Sequence, residues 1–109
     1  MNILPWIQAA RINTLVASIV PVLSSVVILP QSISVNIWLL LLTLIAAITI
    51  QIVTNYINDL YDFLKGADTN RVGPVRMLQS GKISEAQMKR AIFILFILGI
   101  LFGIPLAIK

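Results

Sequence analysis

The sequence predicts an all-α, polytopic membrane protein with three transmembrane helices, and three observations carry that prediction. Of its 109 residues, 59% are hydrophobic and only 11% are charged, against roughly 25% charged in a soluble domain. Three apolar stretches each approach the ~20 residues that cross a bilayer core as a helix. Nearly all the charge is gathered between the second and the third.

The first stretch, about residues 12–29, carries no charge and has Pro21 in its middle. Proline is tolerated in a membrane helix when neighbours satisfy the freed carbonyl, so one kinked span is expected. A cleaved leader is the alternative there, but the apolar run is long for one and no A-x-A site follows. Residues 30–36 are uncharged and turn the chain. The second stretch, about 37–57, opens with Trp38 and four consecutive leucines. The third, about 91–108, contains Gly99 and Gly103, a spacing that favours close helix packing.

Between the last two lies a loop of about residues 58–90. It holds Lys65, Arg71, Arg76, Lys82, Lys89 and Arg90, and all four acids, Asp59, Asp62, Asp68 and Glu85. Only Arg11 and Lys109 carry charge elsewhere. Lys and Arg collect on the cytoplasmic side, so this loop and the amino terminus are both expected there, in the plasma (inner) membrane. Ser84-Glu85-Ala86-Gln87 has the pattern of a capping box, which would start the third helix before the membrane.

Composition also narrows the chemistry. The chain has no Cys and no His, which removes disulfides, thiolate nucleophiles, the usual zinc ligands and haem ligation. A net charge of +4 spread over so few residues does not make a nucleic-acid surface. What remains is Asp, Asn, Arg, Lys and Tyr beside a lipid bilayer.

The most informative pattern is at the end of the second span. Gln51, Asn55, Asp59 and Asp62 fall on one helical face, flanked by Asn58, while Ile52, Val53 and Ile57 are expected to face lipid. Gln51 lies eight residues deeper than Asp59, about 12 Å along the helix. Polar groups buried in a bilayer usually face a cavity or a partner helix. Carboxylate and amide oxygens suit a hard divalent cation such as Mg²⁺, which shares its coordination with phosphate oxygens. Lys65, Arg71 and Arg76 follow and can hold the same phosphate. Together they point to a diphosphate head on an apolar tail. Equally, the two acids can be solvated groups at a helix end, with Gln51 and Asn55 joining helices.

The segment Asn55-Tyr-Ile-Asn58-Asp59-Leu-Tyr-Asp62 resembles the first Asp-rich motif of the UbiA superfamily of intramembrane prenyltransferases. Its continuation, Phe63-Leu-Lys65-Gly66-Ala-Asp68-Thr69 and then Gly73-Pro74-Val-Arg76-Met-Leu-Gln79-Ser80-Gly81, is similar to the 1,4-dihydroxy-2-naphthoate branch. Trp6-Ile-Gln-Ala-Ala-Arg11 and Thr14-Leu15-x-Ala17-Ser18-x-x-Pro21 resemble that branch too, so the similarity covers most of residues 5–90. The resemblance implies Asn55, Asp59 and Asp62 as ligands of Mg²⁺, with Asp59 and Asp62 catalytic. It implies Asn55, Asn58, Lys65, Asp68 and Arg76 as residues binding the prenyl diphosphate. Asp68 stands six residues after Asp62, a departure shared with the naphthoate branch. Ile12 replaces an expected proline, and Ser24-Ser25 stand where Gly is often seen, which touches packing more than chemistry.

The implied activity is Mg²⁺-dependent transfer of a polyprenyl group from an allylic diphosphate to dihydroxynaphthoate in quinone biosynthesis. Tyr56 or Tyr61 would shield an allylic cation through its ring face. The family resembled has further transmembrane helices and a second Asp-rich motif. The chain is therefore expected to be the amino-terminal part of one transmembrane prenyltransferase domain, a partial UbiA-type bundle inactive alone. Two alternatives stay open: another aromatic acceptor such as 4-hydroxybenzoate, or a non-catalytic membrane module.

Overall fold

A computed structural model of the chain describes residues 2–66, 77, 78 and 80–108. Helices α1 (Leu4–Ala10), α2 (Val16–Val27), α3 (Ile37–Leu64) and α4 (Glu85–Ile108) follow in order, with a 3₁₀ turn over Ile12–Thr14 between the first two. Among the described residues there is no strand. The molecule is elongated, 54 × 27 × 25 Å.

Each long helix is delimited by local chemistry. At the start of α3 the Asn36 side-chain Oδ1 accepts from the backbone N–H groups of Trp38 (3.0 Å) and Leu39 (3.3 Å), satisfying donors that the first turn leaves over. At its end Gly66 adopts φ 73°, the left-handed conformation that stops a helix at least cost for glycine. The start of α4 is a reciprocal capping box. Ser84 N–H donates to Gln87 Oε1 at 3.0 Å and Gln87 N–H donates to Ser84 Oγ at 3.1 Å. Ile83 and Met88, which flank that box in the positions of a hydrophobic staple, are both buried in the core cluster.

α3 and α4 are each long and apolar enough to cross a membrane, and α1 with α2 makes a third crossing if that bent pair is one span. The chain is an integral membrane protein. Exposed side chains on α4, among them Phe93, Phe96, Ile97 and Leu101, give this helix an apolar surface suited to lipid or neighbouring helices.

Two boundaries differ from those read off the sequence. The first span does not run as one helix over 12–29 kinked at Pro21. Pro21 sits within an uninterrupted α2, and the chain bends by 48° between Leu4–Thr14 and Val16–Val27. α1 ends at Arg11, whose backbone is left-handed, and the bend falls between the 3₁₀ turn and α2, at Leu15. α3 continues to Leu64, beyond the expected limit at 57, while α4 begins at Glu85, ahead of the apolar stretch from 91 and where the capping box starts it. Hydropathy marks where a membrane ends, whereas Asn58 to Leu64 and Glu85 to Arg90 stay helical in water as well as in lipid.

The core gathers at the charged end of the bundle. Ala9 and Ala10 of α1, Tyr56 of α3, Met77, Leu78 and Ile83 of the connection and Met88 of α4 form one buried cluster, with Ile52, Leu60 and Phe63 packed on it. Val53 is buried and lines a groove between α3 and α4 with Phe96 and Gly99. Ile52 and Val53 thus face protein rather than lipid, and of the three residues assigned to lipid only Ile57 is exposed. An apolar face reads the same in a sequence whether lipid or another helix covers it.

Candidate functional site at the inner end of helix α3

The polar stripe of α3 meets the broken first span. Ser18 Oγ donates to Gln51 Oε1 at 3.1 Å, so the deepest stripe residue ties α2 to α3. One turn on, Asn55 is 3% exposed. Its Nδ2 donates to the carbonyl of Ala10 at 2.7 Å and to Thr14 Oγ1 at 2.8 Å. Thr14 Oγ1 in turn donates to the Arg11 carbonyl at 2.8 Å. The amide therefore serves the carbonyl that the end of α1 leaves over, and fixes the turn in which Arg11 sits. Thr14 and Ala10 are partners that residue type and spacing did not reveal.

Asp59 lies one further turn along, 1% exposed. A carboxylate that deep is stable in charged form only if it is paired or coordinated. Asp62, nearly another turn on, is half-buried. Asn58 is exposed at the edge of the stripe and is not gathered with the others. Lys65 closes α3 at its surface end, where its Nζ sits 4.5 Å from the ring centroid of exposed Tyr61. Arg76 and Asp68, and Arg71 with them, lie outside the described residues.

Tyr56 has a structural role that spacing did not reveal. It is buried, its hydroxyl donates to the Trp6 carbonyl at 3.1 Å, and its ring meets that of Trp6 edge-on at 5.8 Å. It fastens α1 to α3, and neither tyrosine joins the Asn55–Asp59 face.

Oxygen donors are what this site offers. The Asn55 amide spends its nitrogen on α1 and Thr14, and its oxygen is an acceptor one turn before Asp59 in the sequence. Two carboxylates and an amide oxygen suit a hard cation that also takes oxygens from a ligand. Among the described residues no group of three His, Cys, Asp or Glu could hold a metal by itself. Next to the clamp opens a cleft of about 620 Å³ at the break of the first span, lined by Arg11, Thr14 and Lys82 among others.

Comparison with known proteins places these residues in context. The model of the UbiA prenyltransferase family matches residues 18–108. A 1,4-dihydroxy-2-naphthoate octaprenyltransferase of Mycobacterium tuberculosis is 34% identical over 103 residues, 94% of this chain and 35% of that protein. Proteins of that name from Escherichia coli and Bacillus subtilis are 45% and 44% identical over 67 and 62 residues, which are 61% and 57% of this chain and 22% and 20% of those proteins. The chain thus spans about a third or less of the curated relatives it matches. No solved structure matches it.

Proposed function

Since the chain belongs to the UbiA prenyltransferase family, we propose that it forms the amino-terminal part of an enzyme that transfers a polyprenyl group from an allylic diphosphate to dihydroxynaphthoate. The observation that carries this is the burial of both Asn55 and Asp59, one helical turn apart, toward the carboxyl-terminal end of a 28-residue apolar helix. That helix is about 42 Å long, longer than the ~30 Å hydrocarbon core. Its acidic end therefore reaches the membrane surface, where a soluble diphosphate head and a lipid-soluble tail can both be accommodated.

In this proposal Asp59, Asp62 and the Asn55 oxygen hold Mg²⁺, and Lys65 and Arg76 grip diphosphate oxygens, with Asn58 and Asp68 at the edge of that site. When bound, the metal supplies charge neutralisation for the departing diphosphate. The residues of the chain orient the head group at the helix end and leave the tail among apolar side chains, which keep water from the allylic carbon. The C–O bond to diphosphate breaks with its electron pair on the leaving group, and the electron-rich ring of the acceptor forms the new C–C bond as its carboxylate departs as CO₂, whose bonding pair stays with the ring. The orientation follows from the basic residues: amino terminus and the 58–90 segment on the cytoplasmic side of the plasma membrane.

The test uses the unshortened reading frame expressed in membranes, given prenyl diphosphate and either dihydroxynaphthoate or 4-hydroxybenzoate, with and without Mg²⁺. Transfer to the naphthoate only, and only with Mg²⁺, is the expected result. Transfer to neither acceptor by folded protein overturns the proposal.

A further inference from the structure

Helix α4 changes character at Arg90. Glu85, Lys89 and the capping box precede it, and no charged residue follows it through Ile108. Arg90 is therefore the last charged side chain before the helix enters hydrocarbon, at the depth of lipid headgroups. The adjacent Lys89 is paired, its Nζ 2.9 Å from Glu85 Oε2 one turn back. Arg90 is exposed and, among the described residues, forms no ion pair.

Arg90 lines a groove of about 410 Å³ between α1, α3 and α4. Gln87 lies one turn before it and Ile94 one turn after it on the same face of α4, and Trp6, Tyr56 and Leu95 supply further walls. No acid lines the groove among the described residues. The Tyr56 hydroxyl is used on the Trp6 carbonyl and Gln87 Oε1 on the Ser84 N–H. Along α4 the groove thus presents donors first, the Arg90 guanidinium and the Gln87 amide nitrogen, and apolar side chains after them. Gln87 to Leu95 covers about 12 Å of helix, enough for a headgroup and the upper part of one acyl chain.

An unpaired guanidinium above an apolar slot suits an amphiphile with an anionic head. A zwitterionic lipid carries its own cation beside the phosphate, which Arg90 repels. A second copy of this chain would bring a net charge of +4 of its own. We propose that the groove binds an anionic phospholipid of the leaflet in which α4 begins. Its phosphodiester lies on Arg90 and the Gln87 amide nitrogen, and its upper methylenes lie against Trp6, Ile94 and Leu95. Basic pockets between membrane helices recognise anionic headgroups in this way. The bound lipid fastens α1 to α4 beside the Tyr56–Trp6 contact. The groove shares no residue with the Asp59 face, so the site stands whether or not the chain serves prenyl transfer.

The test is native mass spectrometry of the complete protein, released from detergent micelles holding equal amounts of phosphatidylglycerol and phosphatidylcholine with the same acyl chains. Wild type should retain phosphatidylglycerol about fivefold over phosphatidylcholine, the scale for one basic side chain at an anionic lipid surface. Arg90→Gln should abolish that preference. Lys89→Gln removes an equal charge one residue away, outside the groove, and should keep it. Ile94→Trp, at an exposed position, fills the groove without altering its charge and should cut phosphatidylglycerol retention by at least about half. A wild type without a preference overturns the assignment. So does an equal loss in Arg90→Gln and Lys89→Gln, which would make the effect one of diffuse surface charge. Unchanged retention in Ile94→Trp also overturns it, because the acyl chain then lies elsewhere, as does displacement of the lipid by prenyl diphosphate, which would make the groove a substrate site. None of these readings involves turnover: a wild type that keeps the lipid preference but prenylates neither acceptor sinks the prenyltransferase proposal alone.

Discussion

Asn55 Nδ2 donates to the backbone carbonyl of Ala10 at 2.7 Å, joining residues 45 apart in sequence. Ala10 is itself buried, so without that bond a backbone acceptor is left unsatisfied in an apolar setting, at a cost of about 1–3 kcal/mol. Asn55→Leu should lower unfolding stability in detergent by about that amount. Asn55→Asp should be no better, because a carboxylate has no proton to donate to the Ala10 carbonyl. A titration with SDS or urea measures both, and an unshifted midpoint for Asn55→Leu would show that the clamp contributes nothing.

Asp59→Asn and Asp62→Asn separate coordination from packing. The amide is nearly isosteric, so the buried site at Asp59 keeps its volume while losing its charge. In the full-length enzyme each change should cut Mg²⁺-dependent turnover by at least about 100-fold, the scale for removing one preorganised charge-stabilising group. Membrane insertion should be normal. Retained turnover in either variant sinks the metal assignment.

Periodicity made the stripe of α3 legible because Gln51, Asn55, Asp59 and Asp62 recur at helical spacing, and capping chemistry made the start of α4 legible in Ser84 and Gln87. Those signals are local, and the structure reproduces the capping box bond for bond. What spacing did not carry were the partners. Nothing local says that Gln51 meets Ser18 or that Asn55 meets Ala10, since each pair joins helices far apart in sequence. The break of the first span was assigned to Pro21, the residue with the strongest intrinsic tendency to bend a helix. The structure bends the chain between the 3₁₀ turn and α2 instead, where no residue gives a local signal for a turn.

Tyr56 and Tyr61 are expected to behave differently. Tyr56→Phe removes the hydroxyl bond to the Trp6 carbonyl but keeps the edge-on ring contact, so a loss of about 1 kcal/mol in stability is expected. Turnover of the full-length enzyme should be unchanged. Tyr61→Phe should be silent, while Tyr61→Leu removes the ring beneath Lys65, a contact worth about 0.5–1 kcal/mol at an exposed site. Thermal unfolding and turnover on the same preparations check all three. A collapse of turnover in Tyr56→Phe at normal stability would place its hydroxyl in the chemistry after all.

Gly99 and Gly103 share a sequence pattern but not a role. A Cβ built at Gly99 would lie 3.6 Å from Thr49 Cγ2 on α3, ordinary van der Waals contact, whereas one at Gly103 meets nothing within 4 Å. Gly99→Ala should therefore be tolerated, with the gain of up to about 1 kcal/mol that alanine brings to a helix interior. Gly99→Leu cannot fit without moving α3 from α4, and overpacking of that kind costs about 1–3 kcal/mol. Gly103→Leu meets no such neighbour within the chain and should leave α3–α4 packing intact. A disulfide or spin-label distance between α3 and α4 reads this directly: an increase in Gly99→Leu and none in Gly103→Leu is expected. Equal displacement in both would mean that the pattern acts as a pair, and that Gly103 also lies against α3 in the membrane.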